Sequence, residues 1–276
     1  MLIVDSQVHI WQRPGLGSHH IQLPAFTAED QLKAMDEAGV SAAVICPPFM
    51  MEDVNQMASE AAARNPGRLA VMGFFQIDGP NAREAMRTWK QRPGMKGLRW
   101  VLNQPQHKTW WTDGTMEWVW AEAEKQGLPI SYLVNDNMAA LGRAAERHPK
   151  LKFMIDHLGR ITSLKDEACF ASLPDMLALA KHPNIGVKLS GAPSNSSAAY
   201  PWRNIHDPIK RIVDAFGPAR CFWGTDLSRM PCSYRQCVTM FTEEMPWLKG
   251  RDLELVMGRA LCDWLGWQAE AQTFGR

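Results

Sequence analysis

Eight short apolar runs, separated by segments of helical periodicity, constrain this chain more than any other feature of its sequence. The runs fall at residues 2–5, 42–46, 69–75, 97–101, 129–134, 152–156, 185–190 and 221–224, each of strand length. Between them, residues 27–38, 53–64, 82–91, 115–126, 138–147, 174–181, 205–216 and 234–244 read as helices, and a last helix over 253–265 closes the chain. Thr27 and Asp30 stand at capping-box spacing, and Gly39 is placed to stop the first helix. Near-continuous apolar strands alternating with helices require a parallel sheet covered by helices. Eight such units predict an α/β fold, a (β/α)8 TIM barrel with an extra C-terminal helix. An open doubly wound sheet is the rival, but the first turn, Ser6-Gln7-Val8-His9, has none of the glycines of a dinucleotide-binding fingerprint. No repeat or polar linker marks a boundary, so residues 1–276 read as one domain.

Charge narrows the partners. Thirty basic against 29 acidic side chains, without a long basic run, give no electrostatic footprint for nucleic acid or an anionic membrane. The apolar runs are too short to span a bilayer, and the Met-Leu-Ile-Val-Asp start does not read as a targeting segment. The six cysteines, at 46, 169, 221, 232, 237 and 262, include no Cys-x-x-Cys pair and read as reduced thiols of a cytoplasmic protein. Cys232 and Cys237 lack the second pair that a zinc finger would need. A small-molecule substrate is the expected partner, with a homodimer as the prior for assembly.

In such a barrel the chemistry collects at the carboxyl ends of the strands. There the chain places Asp5, Gln7 and His9 after strand one, Arg99 in strand four, His157 after strand six, Lys188-Leu189-Ser190-Gly191 at strand seven, and Asp226 after strand eight. Asp5 is expected to orient the first turn. His148 and His182 each precede a proline at a helix end and read as structural. His19, His20, Trp110, Trp111, Tyr200, Trp202 and Arg203 lie in loops on the catalytic face and are candidate substrate walls, with Arg203 and Arg229 as candidate carboxylate holders. The loop over residues 191–202, with Gly, Pro and three Ser, is expected to be a mobile lid.

The residues around these positions resemble a known family. Ile3-Val4-Asp5-Ser6-Gln7-Val8-His9-Ile10-Trp11 is similar to an Asp-x-His-x-His-x-Trp opening, and Ile155-Asp156-His157-Leu158-Gly159 to a strand-six His-Leu-Gly. Val187 to Gly191 and Phe216 to Asp226 are similar to the last two strands. The pattern is that of the amidohydrolase superfamily, amidohydrolase family 2, in the lactonase-like branch that includes L-fuconolactonase and 2-pyrone-4,6-dicarboxylate lactonase. One position departs from it: Gln7 stands where the first histidine of His-x-His is usual. An amide oxygen is a weak zinc ligand beside the imidazole it replaces.

The resemblance implies hydrolysis of a small acidic or sugar-derived lactone, and some members of the branch work without metal. No cofactor is then expected. Asp226 would act as general base on water, a pKa raised by partial burial suiting it to the task. His157 and His9 would donate hydrogen bonds to the developing oxyanion, Arg99 would clamp a carboxylate, and Gln7, Trp111 and Arg203 would contact substrate. The first alternative is a divalent-metal enzyme, a decarboxylase or an amidohydrolase of an aromatic or acidic small molecule, with His9, His157 and Asp226 holding zinc or manganese. The second is a degenerate barrel that binds a small molecule without turnover.

Overall fold

The computed structural model describes residues 1–14, 17–48, 54–102, 107, 109–134, 137–161 and 163–272. Eight strands form one sheet in the order β1 to β8, each parallel to the next. They are β1 Val4–Val8, β2 Ala42–Ile45, β3 Leu69–Phe74, β4 Met95–Trp100, β5 Ile130–Tyr132, β6 Phe153–Ile155, β7 Ile185–Lys188 and β8 Cys221–Phe222. The seam is closed just beyond β8, where Ser6 N donates to Trp223 O at 3.0 Å and Asp226 N to Gln7 O at 2.8 Å. Gly224 permits this approach, since a Cβ there would lie 2.3 Å from Ser6 Oγ. The chain is a (β/α)8 barrel.

The helices follow as α1 Ala28–Ala38, α2 Val54–Arg64, α3 Ala82–Arg87, α4 Glu117–Gln126, α5 Met138–Arg147, α6 Asp166–Cys169, α7 Leu173–Ala178, α8 His206–Phe216, α9 Tyr234–Thr242, α10 Gly250–Glu254 and α11 Ala260–Leu265. Residue 53, expected to begin the second helix, lies outside the described residues. The capping box of α1 forms: Thr27 accepts from Asp30 N, Asp30 accepts from Thr27 N, and Gly39 ends the helix at φ +77°. The closing helix, expected over 253–265, is longer: α10 and α11 are joined by a π-helical turn, Leu255–Arg259. No helix among the described residues is long and apolar enough to cross a membrane.

Two apolar layers explain the strand sequences. Ala43, Ile45, Val71, Leu98, Ile130, Phe153, Ile155 and Val187 face outward into the layer under the helices. Val4, Val44, Met72, Met154 and Phe222 face inward and meet Ala260, Leu261 and Leu265 of α11 with Trp267. Residues buried on both faces read as continuous apolar runs, which is why the strands are visible in the sequence. The first strand is the exception. It was expected at 2–5 and runs instead over Val4–Val8; its polar residues Asp5 and Gln7 are buried against polar partners, Asp5 on Thr225 and Tyr234 and Gln7 on Lys188.

Candidate active site

Asp226 and His157 stand on left-handed turns at the mouth, after β8 and β6. Asp226 has φ +57°, and His157 and Leu158 have φ +52° and +64° ahead of Gly159. Left-handed non-glycine residues cost on the order of 1 kcal/mol each and are concentrated at functional sites. Both side chains are buried.

Asp226 is the hub. Its Oδ1 lies 3.1 Å from His9 Nε2, and its Oδ2 lies 3.7 Å from His157 Nε2 and 3.2 Å from Arg229 Nη1. Burial alone would push this carboxyl upward, but the contact with His9 and the electrostatic pull of the facing imidazoles and of Arg229 outweigh it and hold the group well below the ordinary carboxylate range. The expectation of a raised pKa is therefore corrected: Asp226 is ionised, and its place against three cationic or imidazole partners is the reason. His157 is the reverse case, since burial outweighs the pull of Asp226 and lowers it to about 3, so the ring is neutral at neutral pH. Ser190 Oγ lies 2.9 Å from His157 Nδ1; a serine proton donated there leaves Nε2–H as a donor toward the mouth.

His9 is fixed differently. Its Nδ1 lies 2.5 Å from the carbonyl of Cys46, so Nδ1 carries a proton and donates it. Lys188, which can only donate, lies 3.0 Å from Gln7 Oε1. The Gln7 amide nitrogen is thereby turned toward His9 Nε2, at 3.4 Å. His9 Nε2 thus faces Gln7 and Asp226 rather than an incoming carbonyl, which departs from the oxyanion role expected for it. Gln7 presents its oxygen to Lys188 and the Cys46 thiol, at 3.0 and 3.1 Å, and not to the mouth.

Beneath this layer lies a buried ionic group. Asp156 Oδ1 is 3.0 Å from Lys188 Nζ and 2.5 Å from Ser131 Oγ, and its Oδ2 is 2.8 Å from Arg99 Nε. Arg99 was expected to clamp the substrate, but its Nε is committed to Asp156. Asp5 forms a second node, accepting from Gln7 N, Thr225 N, Thr225 Oγ1 and Tyr234 Oη at 2.9, 2.9, 2.5 and 2.8 Å. It joins β1 to the chain after β8 and to α9.

Two other expected contacts do not gather at the mouth. Trp111 packs on Tyr132 and Trp120, with ring centroids at 4.8 and 6.1 Å, between α4 and the sheet. Arg203 is 69% exposed and pairs with Glu244 at 2.9 Å on the surface. Nor is the segment over 191–202 free to act as a lid. Ser197 is tied to Asp166 through both its N and Oγ, Ser196 bonds Asn204, Tyr200 Oη bonds Thr239, and Trp202 is buried. His148 faces Glu124 and Glu117 at the end of α5, and His182 faces Glu146.

His20 does join the site: its Nδ1 is 2.7 Å from Ser228 Oγ, and its ring meets His9 edge-on with centroids 5.3 Å apart. Arg160 is the residue the sequence reading passed over. It is 2% exposed, its Nε and Nη2 are buried without a hydrogen-bond partner, and burial followed by repulsion from Arg229 pulls its pKa down to about 10. An arginine directly after His157-Leu158-Gly159 was the available signal.

A protein-family model described as amidohydrolase matches residues 4–269. An L-fucono-1,5-lactonase from Burkholderia ambifaria is 24% identical over 232 residues, 81% of this chain and 79% of that protein. Among solved structures, an amidohydrolase from Burkholderia multivorans with bound zinc aligns over 97% of this chain and all of its own, at a TM-score of 0.84 and 18% identity. A protein from Acinetobacter baumannii described as a probable 2-pyrone-4,6-dicarboxylic acid hydrolase, with citric acid bound, aligns over 97% and 100% at a TM-score of 0.75 and 17% identity. At these identities the structural likeness speaks for the fold.

Proposed function

The chain belongs to this amidohydrolase family, and from that premise we propose that it hydrolyses a small lactone carrying a carboxylate, with Asp226 moving the proton. The observation that carries this reading is a buried, ionised carboxylate at the barrel mouth, its oxygens facing His9, His157 and Arg229, within the electrostatic reach of Arg160, whose buried Nε and Nη2 lack a hydrogen-bond partner. A relative described as an L-fucono-1,5-lactonase and a structural neighbour described as a probable 2-pyrone-4,6-dicarboxylic acid hydrolase support the substrate class.

The chemistry balances with these residues. Water adds to the lactone carbonyl carbon as Asp226 takes one of its protons. His157 Nε2–H donates to the oxyanion. Collapse breaks the bond to the ring oxygen, which receives the proton from Asp226, giving the hydroxy acid and the original carboxylate. His9 stands beside Asp226 Oδ1, Arg229 holds Oδ2 in place, and Arg160 and Arg229 donate to the substrate carboxylate.

A second reading is favoured by one observation: a nitrogen each of His9 and His20 and an oxygen of Asp226 lie within 4.8 Å of one another. Two imidazoles and a carboxylate oxygen suit a divalent ion, and burial, then His9, lowers His20 to about 3, leaving it neutral. His9, Asp226 and His20, with His157 beside them, would hold zinc or manganese, which would supply polarisation of the carbonyl. Gln7, with its oxygen on Lys188, would not be a ligand.

Elemental analysis of the purified protein, followed by a panel of carboxylated lactones with and without a chelator, tests both. Turnover that survives the chelator is expected for the first reading; co-purifying metal and loss of turnover on its removal would establish the second. Absence of turnover on every lactone, with metal added, would sink both.

Arg160→Met is expected to raise KM for a carboxylated lactone by about 10- to 100-fold with a smaller change in kcat, the scale of a lost hydrogen bond to a charged group. A neutral sugar lactone should lose nothing. An equal loss on both substrates would remove Arg160 from substrate recognition.

A further inference from the structure

The loop that carries Asp226, Ser228 and Arg229 ends at Cys232, immediately before α9. Ser233 caps that helix, with a reciprocal bond to Gln236. This puts Cys232 just before the cap and Cys237 at the fourth helical position, the two places whose side chains meet across a helix start. Their sulfurs are 3.5 Å apart. The other four cysteines are buried and apart from this pair: Cys46 bonds Gln7, Cys169 faces Asn195 O and Cys221 faces Ile212 O. Cys232 is the single cysteine of the six that is not buried.

We propose that Cys232 and Cys237 are a modification site, closing to a reversible disulfide when the protein meets a hydroperoxide, and that the bond fixes the end of the Asp226 loop to α9. The step is a two-electron oxidation. The Cys232 thiolate attacks the peroxide, breaking the O–O bond and giving a sulfenic acid; the Cys237 thiol then displaces water from that sulfur. In all, two thiols and one molecule of hydrogen peroxide give one disulfide and two of water.

The order of attack follows from the environment. The hydrogen bond from Cys237 lowers the Cys232 thiol, and the start of a nine-residue helix favours a thiolate. Sharing with Cys232 and burial raise Cys237, which suits it to attack second. The sulfurs must close from 3.5 Å to about 2.0 Å to bond. What the bond would fix is connected to the site: Tyr234 of the same helix donates to Asp5 at 2.8 Å, and Cys237 O accepts from Trp223 Nε1 at 3.3 Å.

The test uses the intact protein and hydrogen peroxide at near-stoichiometric dose, read by intact mass, peptide mapping and amide hydrogen exchange. Wild type should lose the mass of two hydrogen atoms, yield one internally linked peptide holding both residues, and return on reduction. Cys237→Ser should stop at a sulfenic acid on Cys232 that a dimedone probe captures, and Cys232→Ser should resist the same dose. Exchange over residues 227–233 should slow several-fold in the oxidised form. A stable sulfenic or sulfinic acid on wild-type Cys232, a link to any other cysteine, or unchanged exchange in the closed form would overturn the proposal.

Discussion

Asp226→Asn lowers kcat on the hydrolysed lactone by roughly three orders of magnitude, within the 10²- to 10⁴-fold range of a lost general base, and leaves the protein folded. The amide keeps the shape and accepts the left-handed conformation that Asp226 holds at φ +57°, a conformation in which Asn and Asp are enriched among side chains. It cannot take a proton from water, and it surrenders the charge that faces His9, His157 and Arg229. The pH profile separates this assignment from a histidine base. A carboxyl held below its ordinary value is deprotonated, and so active as a base, at every pH above that value, which places its acid limb below about 4. His157, lowered to about 3, adds no inflexion near neutrality. Steady-state kinetics from pH 4 to 8 should therefore show no loss due to Asp226, and the Asn variant should be slow throughout. A wild-type limb governed by an ordinary imidazole value, with Asp226→Asn nearly as fast, would move the proton acceptor to a histidine.

What could be read from the sequence follows the distance over which the partners act. Strand positions were legible because a residue covered on both faces must be apolar, a rule that works within a run of five or six residues. The positions of His157 and Asp226 at the strand ends were legible because each lies within a few residues of its apolar run. Polar pairing across the barrel was not, because it joins residues far apart in the chain: Gln7 to Lys188, Asp5 to Thr225 and Tyr234, Arg99 to Asp156. For that reason β1 was placed too early, and Arg99 was read as a free fork when its Nε had an internal partner. Arg160 was missed for the opposite reason. Its place directly after His157-Leu158-Gly159 could be read, but the missing partners of its buried Nε and Nη2 could not, because only the packed chain shows them.

Asp156→Ala is expected to destabilise the fold by about 3–5 kcal/mol, the cost of removing one partner from a buried ion pair, which for a chain of this size lowers Tm by roughly 6–15 °C. Lys188 and Asp156 are both fully buried, and Arg99 has a side chain only 10% exposed. Burial by itself would raise the Asp156 carboxyl, but Lys188, Arg99 and His157, with the Ser131 hydroxyl, outweigh it and depress it far below 3.8. A depressed carboxyl contributes stability that is present above the unfolded pKa and lost as pH falls through the folded one, so the wild type holds this contribution throughout the neutral and mildly acidic range. Removing the carboxylate leaves two cations in a dry interior with no anion between them. Lys188 is then the natural second site. With Asp156 gone, Lys188→Met removes one of the stranded charges, and the double variant should recover part of the loss, giving a coupling energy in the 0.5–3 kcal/mol range of interacting neighbours. Urea denaturation of the four proteins in the cycle measures it. Additive losses, or an Asp156→Ala variant that melts within about 2 °C of wild type, would mean that the cations find water or another anion, and that this ionic group does not hold the barrel beneath the site.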